Sequence, residues 1–236
     1  MRDGVVPLEH IAAIREFFDR QYATHDRYWW QGENRYSTNP GDHTSFNAAW
    51  LAEAIRRSPG RALDLGAGEG ADAIRLAKLG YQVDAIEVSA VACEKAERFA
   101  RAERVPITVR NEAIETADLE PATYDLVLMN GFLHYVRDKD SVLRRALVAS
   151  TADAVHAVAL FSTASPVPAE HAVIPVFPEG EGGAVERFFQ GWQMRLRSYE
   201  RDRRERSHPG FAPHAHSHVK LIAAPFAERK GNNADR

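Results

Sequence analysis

The sequence predicts an α/β fold: a doubly wound, mostly parallel seven-stranded sheet with a C-terminal antiparallel hairpin and an N-terminal helical and aromatic cap. Three observations carry this. Short apolar runs alternate with helical periods between about residues 61 and 162, a glycine-rich turn follows the first run, and two long alternating segments near the C-terminus flank the turn-like SHPGFAP. A length of 236 residues suits one domain. We divide it into a cap and lid over 1–58 and a core with its hairpin over 59–236.

Leu8, Ile11, Ile14, Phe18 and Tyr22 recur at steps of three and four, one apolar stripe of a helix over about 8–22. Phe46, Trp50 and Ala54 repeat the period, and Ser58-Pro59-Gly60 stops it, because proline excludes the helical conformation from the residue before it. Between these helices lies a polar, turn-rich and unusually aromatic stretch. RALDL is the first strand, followed by a helix to about Leu79 with Gly80 as its C-terminal glycine. YQVDAIE is the second, followed by a helix from about Ala90 with Ser89 as its N-cap. PITV, YDLVLM and AVHAVALFS complete five parallel strands, with a helix near DKDSVLRRALVAS before the last. WQMRLRSYERDR and HSHVKLIAAPF form the hairpin, and ERKGNNADR reads as a polar tail.

Composition excludes several functions. With 30 Lys+Arg against 33 Asp+Glu, the chain lacks the basic excess of a nucleic-acid partner. Cys93 is its single cysteine, which rules out an internal disulfide framework or a multi-thiolate zinc site and suits a cytoplasmic protein. No run approaches the ~18 apolar residues of a membrane span, and the start MRDGVVPLEH does not read as a signal peptide. His214, His216 and His218 alternate on one strand face, but no acidic or thiolate ligand joins them by spacing, so they read as a hairpin face and no metal is expected. The arginines between 195 and 206 are interleaved with Glu200, Asp202 and Glu205, the pattern of a solvated strand.

The chemistry centres on LDLGAGEG, residues 63–70. Gly66 and Gly68 let the backbone turn and approach a ligand, and the helix beyond offers free N–H groups. A dinucleotide loop would place its third glycine at 71, where this chain has Ala71. Asp64 would repel a pyrophosphate and suits a zwitterion or cation instead. Glu87, at the end of the second strand, can accept hydrogen bonds from both hydroxyls of a ribose.

With these residues the chain resembles the class I S-adenosylmethionine-dependent methyltransferases over about residues 60–162, through LDLGAGEG, AIEVS, NEAIE and YDLVLMNGFLHYV. The resemblance implies their Rossmann-like fold, S-adenosylmethionine as cofactor and S-adenosylhomocysteine as product. It implies that Asp64, Gly66 and Gly68 hold the methionine part, Glu87 the ribose, Glu112, Ala113 and Ile114 the adenine edge, and Asn130 the region near the sulfonium. Asn111, Glu112 and Ala113 each remain candidates for the position where relatives often place an aspartate. FPEGE, VERFFQGW and the two final strands look like the tellurite-resistance-type subgroup. Two features depart from the pattern: STADA replaces the Pro-Gly-Gly that commonly precedes the fifth strand in the superfamily, and the RYWWQGENRYS block is not associated with the tellurite enzymes.

On the acceptor side, Tyr28, Trp29, Trp30 and Tyr36 read either as a lid packed on the core or as substrate contacts. Arg35 and His43 are candidates for an acidic acceptor group or are solvated loop residues. His134 is the candidate general base, with packing as its alternative role. The expected activity is methyl transfer to an O, N, S or chalcogen nucleophile of a small molecule, with room for a homo-oligomer. The other readings are a non-catalytic nucleoside-binding sensor or scaffold and, third, a nicotinamide-dependent reductase.

Overall fold

A computed structural model describes residues 8–29, 33–168, 172–204 and 214–226. Trp30, the connection 207–213 and the polar tail therefore lie outside the described residues. Helices α1 (Leu8–Ala23) and α2 (Ser45–Arg56) precede β1 (Arg61–Leu65), α3 (Ala71–Lys78), β2 (Gln82–Glu87), α4 (Ala90–Glu103) and β3 (Thr108–Asn111). Then come β4 (Tyr124–Asn130), α5 (Lys139–Ala149), β5 (Ser150–Phe161), α6 (Ala184–Phe188), β6 (Gln193–Arg204) and β7 (Ala215–Ala224). The sheet order is β3-β2-β1-β4-β5-β7-β6, with β1 to β5 parallel and β7 inserted antiparallel between β5 and β6.

Parallel strands covered on both faces read as continuous apolar runs, and four of the five β1 residues are buried. Successive side chains alternate between two cores. Leu63, Leu65, Val127 and Met129 pack with Val142, Leu143 and Ala146 of α5. Ala62, Leu126, Leu128 and Ala157 pack with Phe46, Trp50 and Leu51 of α2 and Leu76 of α3. The α2/α3 face is the one that carries the site. Ser89 Oγ accepts from Ala92 N at 3.1 Å and Asp138 Oδ1 from Ser141 N at 3.0 Å, capping α4 and α5.

Three details differ from the sequence expectation. β3 begins at Thr108, two residues after Pro106, which has no N–H to give to a ladder. β5 starts at Ser150 and breaks register after pairing Ser150 with Tyr124, which absorbs the STADA segment. VERFFQGW contributes the short α6, whose Val185 joins Phe189 in the core beside α5.

Candidate active site

The strand order reverses between β1 and β4, and there the loops at the strand carboxyl ends diverge around a cavity of about 1070 Å³. That exceeds the usual range of roughly 300–1,000 Å³ for one ligand site and leaves room for a second molecule. Gly66 and Gly68 form its floor with φ of 70° and 52°. A Cβ at Gly66 would stand 2.6 Å from the Phe132 ring, and one at Gly68 would stand 2.7 Å from the Tyr22 hydroxyl.

Two carboxylates flank this loop. Glu87 is 6% exposed and accepts from Gly68 N through Oε2 and from Ser89 N through Oε1, both at 2.9 Å. Burial pushes its pKa up against the pull of these backbone bonds, and each oxygen keeps a further lone pair for a ligand. Asp64 is 2% exposed, lines the cavity, and among the described residues its Oδ2 has no hydrogen-bond partner. Burial, reinforced by the charge of Asp72, holds its carboxyl well above the usual range. An unsatisfied buried oxygen on a cavity wall is costly unless a ligand donor meets it.

Asn130 ends β4 and donates from Nδ2 to Asp72 Oδ2 at 2.8 Å. Asp72 in turn pairs with Arg75, whose Nε donates to the Arg35 carbonyl at 2.9 Å. Beyond Glu87, Asn111 Nδ2 donates to the carbonyls of Glu87 and Val88 and turns the chain. Glu112 then swings outward, held by Arg110 through Nε at 2.9 Å and Nη2 at 2.7 Å, and it does not line the cavity. Ile114 and Glu115 line that wall instead, with Ala113 buried behind them.

Glu69, to which the sequence reading gave no role, organises the lid. It lies between Gly68 and Gly70, fully buried, and accepts from Tyr28 N at 2.8 Å, Trp29 N at 3.0 Å, Arg35 Nη2 at 2.9 Å and Lys95 Nζ at 3.2 Å. Its signal in sequence is a carboxylate inside a loop whose neighbours are all small. Tyr28, Trp29 and Arg35 thereby line the cavity, and Trp29 Nε1 donates to Tyr22 Oη at 2.8 Å. Tyr36 and His43 are not on the wall. Tyr36 is buried with the Arg35 guanidinium 5.4 Å from its ring centre, and His43 Nε2 bonds the Ser37 carbonyl at 2.7 Å, closing its own loop.

His134 lies in a 3-10 turn after β4 and is buried on the cavity wall. Its Nδ1 accepts from Phe161 N at 3.3 Å, and in the neutral ring that bond leaves the proton on Nε2. The ring stacks on Phe161 at 3.7 Å, and His216 stacks with Phe161 at 4.2 Å. Among the described residues, no group of three or more His, Cys, Asp or Glu is arranged to hold a metal, and no helix is long and apolar enough to cross a membrane.

Residues 63–162 match the family model described as a methyltransferase domain. Uncharacterized methyltransferases of Mycobacterium bovis and Mycobacterium tuberculosis are 36% identical over 104 residues, 44% of this chain and 51% of each relative. The match thus spans about half the length of these curated relatives. TehB from Haemophilus influenzae superposes with a TM-score of 0.64 at 15% identity, covering 78% of this chain and 64% of that one. The 1,6-didemethyltoxoflavin-N1-methyltransferase of Burkholderia thailandensis gives 0.63 at 16%, covering 95% and 92%. The magnesium protoporphyrin IX methyltransferase of Synechocystis gives 0.64 at 14%, covering 92% and 99%. At such identities the likeness lies in the fold. Residues 63–162, which hold the glycine loop, Glu87 and Asn130, match the methyltransferase domain model, and the chain shares the fold of these solved methyltransferases.

Proposed function

We propose that this protein is an S-adenosylmethionine-dependent methyltransferase acting on a small molecule through an O, N, S or chalcogen nucleophile. The observation that carries this reading is Asp64, a buried carboxylate with an unsatisfied oxygen on the wall of a cavity floored by Gly66 and Gly68. A ligand ammonium group satisfies that oxygen and removes the cost of its burial. Glu87 has lone pairs for two ribose hydroxyls, Ile114 offers an apolar wall to an adenine, and Asn130 borders the space between donor and acceptor.

When bound, S-adenosylmethionine supplies a methyl group made electrophilic by its sulfonium charge. The chain's own residues then position and enclose. Tyr28, Trp29, Phe132 and Tyr135 exclude water, and the Glu69 hub fixes the lid against the donor loop. His134 orients an acceptor by donating from Nε2. The acceptor therefore arrives already nucleophilic, as a thiolate, selenide, carboxylate or neutral nitrogen.

Calorimetric titration with S-adenosylmethionine, S-adenosylhomocysteine and NADH tests the reading. We expect one site of about micromolar affinity, near 8 kcal/mol, for both adenosyl compounds and none for NADH. NADH binding, or no binding of either adenosyl compound, would overturn it. Binding without methyl transfer to any acceptor would favour a sensor or scaffold.

A further inference from the structure

The far end of the cavity has a chemistry unlike the donor end. Asn130, Ala159, Lys220 and Ser198 form one lateral row across β4, β5, β7 and β6, on the sheet face shared with Asp64. Two strand spacings, about 10 Å, separate Asn130 from Lys220. Ala159 between them is small and lines the cavity, so the row leaves open space between an amide and an ammonium group. One step along, Phe161 faces His218 and stacks between His134 and His216.

Charge on the cavity wall is segregated. Its carboxylates, Asp64, Glu69, Asp72, Glu87 and Glu115, belong to the β1, β2 and β3 side, where Arg35 and Arg75 pair with Glu69 and Asp72, while the hairpin brings Arg203, Arg204 and Lys220 to the wall and no carboxylate of its own. Glu200 tethers the basic pair, meeting Lys220 Nζ at 2.6 Å and Arg203 Nη1 at 2.9 Å. Burial pushes the Glu200 pKa up, but the hydrogen bonds of these two cations pull it down to about 2. A ladder serving only to pin β6 to β7 has no need to line a cavity. These groups do so, with the Lys220 side chain just 8% exposed.

Resting on the methyltransferase reading above, we infer that this end is an anion subsite in which Lys220 and Arg203 hold the acid group of a planar aromatic acceptor. The aromatic walls Phe46, Phe132, Phe161 and Tyr135 receive the ring. The ammonium and guanidinium groups fix the acid at the hairpin, and this turns the opposite edge of the ring, with its nucleophile, toward Asn130 and the donor.

The test titrates 4-hydroxybenzoate and indole-3-acetate, each against its own amide, into the protein with and without S-adenosylhomocysteine. An acid is expected to bind about ten- to a hundredfold more tightly than its amide. Lys220→Met should erase that preference and Lys220→Arg should restore part of it, both with unchanged affinity for S-adenosylhomocysteine. If Lys220→Met does not fold, Arg203→Gln and the wild-type comparison carry the test. Equal binding of acid and amide, no binding of either acid, or a preference that survives in folded Lys220→Met overturns the inference. Acid preference with no binding of S-adenosylhomocysteine would instead refute the donor assignment and leave the subsite standing.

Discussion

Arg35 donates from Nη2 to Glu69 Oε2 at 2.9 Å, and the two side chains are 1% and 0% exposed. A lid residue and a donor-loop residue thus form one buried ion pair, joined by Lys95 of α4. Such pairs specify geometry more than they add stability, yet losing one partner strands the other charge. Glu69→Gln should therefore cost about 3–5 kcal/mol by urea unfolding and weaken donor binding in parallel. A loss under about 1 kcal/mol would show the hub to be dispensable.

Asp64 has the opposite sign. In the free protein burial and the charge of Asp72 disfavour its ionised form, so Asp64→Asn should raise the melting temperature while weakening S-adenosylmethionine binding by about 1.5–3 kcal/mol. Because its folded pKa is raised, the folded state holds the extra proton above the unfolded value near ~3.9. Its contribution in the free protein becomes less favourable as pH climbs from there, and the variant should lack that dependence. Melting curves across pH, with and without ligand, check both statements.

For His134, the hydrogen bond from Phe161 N fixes the expected outcome of His134→Asn. The Asn Oδ1 can take the place of Nδ1 and preserve that bond. If the ring only orients the acceptor, kcat should fall less than about tenfold, whereas removing a general base costs about 10²–10⁴-fold. A loss in that larger range, together with a vanished inflexion near neutral pH, would restore the base.

His156 makes the fold sensitive to acid. Ser150 Oγ gives its proton to the Ala146 carbonyl at 2.7 Å, so His156 Nε2 must be the donor to that hydroxyl at 3.0 Å. Burial among Phe189 and Trp192 lowers the histidine pKa to about 4. The folded ring stays neutral while the unfolded one protonates below about 6.5. Its stabilising contribution is full above that value and is lost as pH falls toward 4. His218, also lowered to about 4 by burial, acts with the same sign. His156→Gln should reduce the proton uptake linked to unfolding by about one, read from the slope of stability against pH. An unchanged slope would contradict this.

The first βαβ unit and its glycine turn were readable from the chain because each of their parts is local. RALDL, the glycine turn and Glu87 lie within one βαβ unit, where strand period, turn residues and cap agree. Glu112 was misplaced because the Asn111 side chain caps the end of β2 and turns the chain there, and no periodic pattern records that turn. Tyr36 packs with Ile74, Phe99 and Ala100, and His43 closes its own loop on the Ser37 carbonyl, so neither side chain lines the cavity, a choice that residue type alone does not record. The Glu69 hub and the row from Asn130 to Lys220 depend on groups brought together from distant parts of the chain, which only the fold reveals.

The glycine-loop end of the cavity is walled by the stretch between β1 and β4 with α1 and the lid packed on it, whereas the other end adds residues of β5 and of the hairpin from the far end of the chain. The family match stops at residue 162, before the hairpin begins. The glycine-loop end and the hairpin end of the cavity are therefore built by separable stretches of the chain. Substitutions confined to the hairpin should reshape one end of the cavity while leaving the glycine loop and Glu87 in place.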